Sequence, residues 1–180
     1  MCGAPSTRML TYNSRQLRWD LGHDAFKDRE TFNVTCFGPE YLNPSKKWYI
    51  KDPFQPYRGN VDILWVPHRV YGLSRRDQKT SMLGLIGTFA PKAGFLLVGC
   101  HEGSKVTRTE RRIGALGEKD NAWLPNAEDM GKMLKEVLTL SSGRWKVEVS
   151  LINLDQTEEF REHVGMKGKE LIQFSCIRLE

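Results

Sequence analysis

TSMLGLIGTFAPKAGFLLVGC, residues 80–100, is the longest run of the chain with almost no charge, broken only by Lys92. Met82, Leu85, Ile86 and Phe89 recur at helical spacing behind a Thr80 or Ser81 cap, and residues 95–98 form a short apolar run that fits a buried strand. The pattern predicts a helix, a turn at Pro91 and a central strand. Arg75, Arg76 and Lys79 precede the run and Arg108, Arg111 and Arg112 follow it. An apolar core segment is therefore bracketed by cationic surface.

Working outward, a chain of 180 residues suits one domain with a core that needs neither disulfide nor metal. Residues 31–37, TFNVTCF, alternate with Phe32, Val34 and Cys36 on one face, which predicts a strand. Val61 to Val66 predicts another, and Pro67 ends it. Residues 99–104 read as a hairpin turn leading to an exposed strand KVTRTERRI, and the 114–117 GALG segment reads as a turn. Asn126 caps a helix in which Met130, Met133, Leu134, Val137 and Leu138 recur at three and four residues. RWKVEVSLINL and ELIQFSCIRL alternate as half-buried strands, with a short helix between Asp155 and Val164. The expected architecture is an α+β fold. A single compact domain, residues 31–180, packs an antiparallel sheet against two or three helices and carries a mobile basic arm over residues 1–30.

Charge directs the functional expectation. Residues 1–112 hold 18 Lys or Arg against 10 Asp or Glu, whereas residues 113–180 hold 9 against 12, so the cationic field arises from the first two-thirds of the chain. Arg8, Arg15 and Arg18 interleave with Tyr12, Leu17 and Trp19, a mixture that lies on phosphates or headgroups or else covers the core. Lys46 and Lys47 sit in a Pro-rich aromatic stretch with Tyr41, Trp48, Tyr49, Phe54 and Tyr57. Such rings stack bases or pin an irregular loop to its own core. The cysteines, Cys2, Cys36, Cys100 and Cys176, form no CxxC pair, which suits a reducing compartment such as cytoplasm or nucleus. No uninterrupted apolar stretch reaches the length of a membrane-spanning helix.

Candidate chemistry is sparse. Cys100 and His101 are the only adjacent Cys and His, whereas structural zinc wants four ligands in close pairs, so no metal is expected. Cys36 or Cys100 with His68 or His163 would supply a nucleophile and base for a small hydrolase. The acid pairs Glu128/Asp129 and Glu158/Glu159 suit helix N-termini. Phosphate-loop, dinucleotide and GxSxG motifs are missing, so no cofactor and no enzymatic activity are expected.

FNVTCF, MLGLIGTFA, the ribbon of basic strands and GRWKVEVSLINLDQTEEFREHV together resemble a rhabdovirus matrix protein of the plant-infecting type, by order of elements from Phe32 to Val164. The resemblance implies a non-enzymatic virion protein, in host cytoplasm or nucleus and on the inner face of the viral membrane. It would bind anionic phospholipid and nucleocapsid and self-associate. Pro-Pro-x-Tyr and Pro-Thr/Ser-Ala-Pro budding motifs are missing, which leaves recruitment of host budding machinery outside the implication. The residues expected at that surface are Arg8, Arg15, Arg18, Lys46, Lys47, Arg75, Arg76, Lys79, Arg108, Arg111 and Arg112. The same charges, with aromatic platforms, equally suit an RNA-binding protein such as a viral accessory factor or silencing suppressor.

Overall fold

Two strands joined by a helical crossover can lie parallel, which a tight turn does not permit, and residues 63–103 use that route. Strand β3 (Ile63–Pro67) leads into helix α2 (Arg75–Phe89), which returns the chain to β4 (Leu96–Gly103), paired parallel to β3 from Ile63↔Leu96 to Pro67↔Cys100. A computed structural model describes residues 9–12, 16–30, 34–37, 55–67, 73–89, 91–113, 119–152 and 169–180. The chain divides into two units, Met1–Pro53 and Phe54–Glu180.

In the first unit, β1 (Leu10–Tyr12), α1 (Gln16–Phe26) and β2 (Thr35–Phe37) form a smaller strand–helix–strand, with β1 and β2 parallel. His23, 8% exposed, bonds to Asp28 at 2.7 Å behind the helix end.

The second unit carries the main sheet. Helix α2 begins where the Ser74 hydroxyl accepts the Asp77 amide at 3.2 Å, six residues before Thr80, the earlier of the two caps expected from sequence. Its buried residues are Gln78, Met82, Leu85, Ile86 and Phe89. A turn at Gly94, φ +84°, feeds β4; that left-handed conformation favours glycine. Strands β5 (Arg108–Ile113) and β6 (Lys119–Leu124) form a separate antiparallel pair. Helix α3 (Ala127–Thr139) starts at Asn126, whose side chain accepts the Asp129 amide at 2.8 Å. It buries the five residues its periodicity singled out, each contributing about 1.5–3 kcal/mol by leaving water. Strands β7 (Trp145–Ile152) and β8 (Glu170–Arg178) complete the sheet in the order β3-β4-β8-β7, with β8 antiparallel to both neighbours.

Register sorts side chains between the two faces. Leu97, Gly99, His101 and Gly103 of β4 lie opposite Cys176, Phe174, Ile172 and Glu170 of β8, and Val147, Val149 and Leu151 of β7 continue this inner face. Helix α3 covers it, with Gly131 close enough for an added Cβ to lie 3.6 Å from Val149. The opposite face changes character across the sheet. Lys146, Glu148, Ser150 and Gln173 make it polar at β7 and β8, joined by a Gln173–Ser150 hydrogen bond of 2.9 Å. At β3 it is apolar, and Ile63 and Trp65 are 62% and 58% exposed.

The expected α+β class with an antiparallel sheet is thus corrected to an α/β, Rossmann-like mixed sheet. The strand ending at Val66, the helix and the strand from residue 95 were each expected. Their succession through a crossover makes the first pair parallel, whereas antiparallel pairing was assumed. The 99–104 hairpin turn is also corrected, because β4 runs on through Gly103. Arg15, Lys46, Lys47, the aromatic stretch 41–54, the turn at 114–117 and the helix at 155–164 lie outside the described residues, as does Arg8.

Candidate functional site at the carboxyl end of the parallel strands

Open α/β sheets bind ligands in the crevice beyond the carboxyl ends of their parallel strands. In the second unit that end is formed by Val66 and Pro67 of β3 and by Cys100, His101, Glu102 and Gly103 of β4. Period-two alternation turns Cys100 and Glu102 to one face and His101 to the other. Cys100 is half-buried and His101 is 1% exposed.

Glu102 forms an ion pair with Lys169, just before β8, at 3.1 Å, with side chains 13% and 16% exposed. Water is largely excluded from both, so the pair carries a desolvation cost that a surface pair does not. Ser104 follows β4, its amide donating to Pro125 O at 2.8 Å and its hydroxyl to Val106 O and to Leu124 O, the latter at 3.3 Å. Ser104 thereby fastens the end of β4 to the end of β6.

A second polar cluster lies on the inner face. Gln78 of α2, 0% exposed, donates from Nε2 to Leu73 O and Trp123 O, each at 3.0 Å, and its Oε1 faces His101 Nε2 at 3.1 Å. An amide oxygen only accepts, so His101 is the Nε2–H tautomer. The Trp123 amide also donates to Leu73 O at 3.0 Å. Beside it, the Thr107 hydroxyl donates to Asp129 and accepts the Asn126 amide at 3.0 Å. That hydroxyl, ahead of Lys132 and Arg75, holds the Asp129 carboxyl below its ordinary range against the opposing effect of partial burial.

Of the basic residues expected at an anionic surface, Arg75, Lys79 and Arg108 stand in ion pairs. Arg75 and Lys79 both bind Glu136 of α3, at 2.8 and 3.1 Å, and they hold its carboxyl below the ordinary range, Lys79 first. The Arg75 guanidinium also lies 5.7 Å from the Trp123 ring centre. Arg108 pairs with Glu110 at 2.7 Å. Arg76 and Arg111 are exposed; Arg112 stands opposite Asp120 in the β5–β6 pair, and Arg18 lies in α1. Cys100 and His101, adjacent in sequence, point to opposite faces of the strand, and His68 and His163, the bases considered for a Cys/His dyad, lie outside the described residues. Burial pushes the Cys176 thiol up to about 12, which leaves almost no thiolate near neutral pH. Among the described residues no group of three or more His, Cys, Asp or Glu could hold a metal ion, and no helix is long and apolar enough to cross a membrane.

Sequence reasoning passed over Gln78, Glu102, Lys169 and Trp123. Gln78 had a readable signal, being the one polar residue in the stripe Gln78, Met82, Leu85, Ile86, Phe89. Glu102 and Lys169 are far apart in sequence, and only the β4–β8 pairing brings them together.

The fold is similar to that of solved SAM-dependent methyltransferases. A solved SAM-dependent methyltransferase from Methanosarcina mazei superimposes with TM-score 0.57 at 10% identity, over 95% of this chain and 82% of that one. The [4+2]-cyclase SpnF gives TM-score 0.57 at 11% identity, over 94% and 66%, so the fold alone does not fix the reaction. In sequence, the chain is 26% identical over 163 residues to O-methyltransferase phiE of a fungal species, covering 91% of this chain and 51% of that protein. It is 24% identical over 177 residues to O-methyltransferase atr3 of Stereocaulon alpinum, covering 98% and 48%. The chain spans about half the length of these curated relatives. No family model matches it.

These findings overturn the matrix-protein resemblance and, with it, the non-enzymatic structural role and the partners it implied. The relatives are named enzymes, not membrane-docking or RNA-binding proteins, and neither the RNA-binding nor the Cys/His hydrolase alternative is favoured. Among the described basic residues, Arg75 and Lys79 pair with Glu136 and Arg108 pairs with Glu110.

A SAM-dependent methyltransferase of this fold must hold its methyl donor beyond the carboxyl ends of its parallel strands. A cradle for a nucleoside and amino-acid ligand calls for backbone left bare by glycine. Gly99 and Gly103, the glycines at this end of β4, are already filled: a Cβ on Gly99 would lie 2.5 Å from Phe174 Cζ and Val66 O, and one on Gly103 would strike Ile172 and Pro125 O. Neither glycine at this end of β4 therefore leaves bare backbone for such a ligand.

Proposed function

We propose that this chain takes part in S-adenosylmethionine-dependent O-methylation of a small molecule. Two curated relatives named O-methyltransferases, aligned over nearly the whole chain, carry the reading. The fold supports it by placing polar groups around the carboxyl end of a parallel pair. In that reading, Glu102, Lys169, Cys100 and Ser104 border the space where an acceptor sits. The low exposure of the Glu102–Lys169 pair makes its field stronger than that of a solvated pair, and so able to orient a polar acceptor. A small-molecule acceptor replaces the lipid surface and nucleocapsid as partner. The test is incubation of the 180-residue chain with methyl-tritiated S-adenosylmethionine and a panel of phenols and phenolic acids. Label extractable into organic solvent, above that from heat-inactivated protein, is the expected result. No label on any acceptor, together with no calorimetric binding of S-adenosylmethionine, would refute the reading.

A further inference from the structure

We infer that Gln78 is a positioning residue of the proposed methyl-transfer site, fixing the mouth of the sheet's carboxyl end through its three hydrogen bonds; this rests on the reading above. Its partners come from three separate pieces of the chain. Leu73 precedes α2, Trp123 lies near the end of β6, and His101 lies at the end of β4. One side chain therefore ties together the segment before α2, the β5–β6 pair and the strand carrying Glu102. The Trp123 amide closes the ring onto the same Leu73 carbonyl, and Arg75 lies over the Trp123 ring while bound to Glu136.

Packing alone does not call for an amide here. Gln78 and His101 are 0% and 1% exposed, where an apolar side chain of similar volume would avoid desolvating an amide. The stripe it interrupts is otherwise Met, Leu, Ile and Phe. What an amide gives and a hydrocarbon does not is direction: two N–H groups and one oxygen fix three backbone or ring positions relative to one another. Glu102 follows His101 directly and faces the other way, so the ring that holds His101 also sets where the Glu102–Lys169 pair stands.

The test compares the 180-residue chain with Gln78→Met, which keeps volume and loses every polar contact, and Gln78→Glu, which keeps an oxygen toward His101 and loses both N–H donors. Amide hydrogen exchange at Trp123 should accelerate about tenfold or more in both variants, while amides within α3 keep their protection. With catechol as acceptor, KM should rise or kcat fall about tenfold or more, with S-adenosylhomocysteine affinity within about twofold of the parent, both read per folded molecule because either variant strands buried polar groups and lowers the melting temperature. Unchanged Trp123 exchange overturns the inference, as does activity that falls only in step with the folded fraction. If the parent chain itself transfers no label, the methyl-transfer reading falls and Gln78 loses its role in that reaction. The exchange result then decides separately whether Gln78 holds the mouth.

Discussion

Gly99→Ala probes the close crossing of β3 and β4. The added methyl would stand 2.5 Å from Phe174 Cζ and from Val66 O, where carbon contacts ordinarily lie at about 3.5–4.0 Å. Relief requires a shift of about 1 Å by each neighbour. The Phe174 ring is 6% exposed, so it has little free space to enter. The Val66 carbonyl belongs to the strand paired with Gly99 itself, and moving it loosens the parallel pair. Overpacking typically costs about 1–3 kcal/mol, and two simultaneous clashes place this case near 3 kcal/mol. With a urea dependence of about 2 kcal/mol per molar, the unfolding midpoint followed by circular dichroism should fall by about 1.5 M. Gly84→Ala in α2 is the control: nothing lies within 4 Å of its added methyl, and a helix-interior glycine replaced by alanine gains about 0.5–1 kcal/mol. Adding Phe174→Leu to Gly99→Ala should restore only part of the loss, because the Val66 oxygen stays in place. A midpoint for Gly99→Ala equal to the parent's would refute the claim that the β3–β4 crossing is closed to a methyl group.

Two further outcomes follow from the polar clusters. Lys169→Met should cost about 2–3 kcal/mol, because it strands a mostly buried carboxylate, and Glu102→Gln in the same chain should return much of that loss; additive single effects in a urea double-mutant cycle would show the pair to be uncoupled. Thr107→Val removes the hydroxyl that most depresses the Asp129 carboxyl. A depressed carboxyl stabilises the fold above the ordinary Asp range and loses that contribution as pH falls through its folded value. The stability gap between parent and variant should therefore be widest near neutral pH and close on acidification below about pH 4, and a gap independent of pH would contradict the assignment.

Local patterns were legible where one element decides its own form. Asn126 and the Met130, Met133, Leu134, Val137, Leu138 spacing foretold α3, and alternation foretold β7 and β8. Pairing was harder, because it depends on what lies between two strands. Val61 to Val66, the Met82 to Phe89 helix and residues 95–98 already spelled a crossover, and the parallel sheet with its ligand end follows only when they are taken together. Glycine misled at the end of β4. Gly99 and Gly103 look like turn signals in sequence, yet they are small because Phe174 and Ile172 need the room. The start of α2 was hidden for a related reason: Arg75, Arg76 and Lys79 read as a flank, and the buried amide of Gln78 broke the apolar stripe that would have extended the helix backward. The candidate site was the least legible, since Glu102 and Lys169 carry no local signature and meet only through strand order.

Charge tallied along a chain is not charge displayed to a visitor. Glu136, a single acid, sits between Arg75 and Lys79, so a polyanion drifting past α2 meets two cations already turned toward a carboxylate. On a cation-exchange resin the folded protein should accordingly let go at lower salt than the same residues in urea, where each cation is again available.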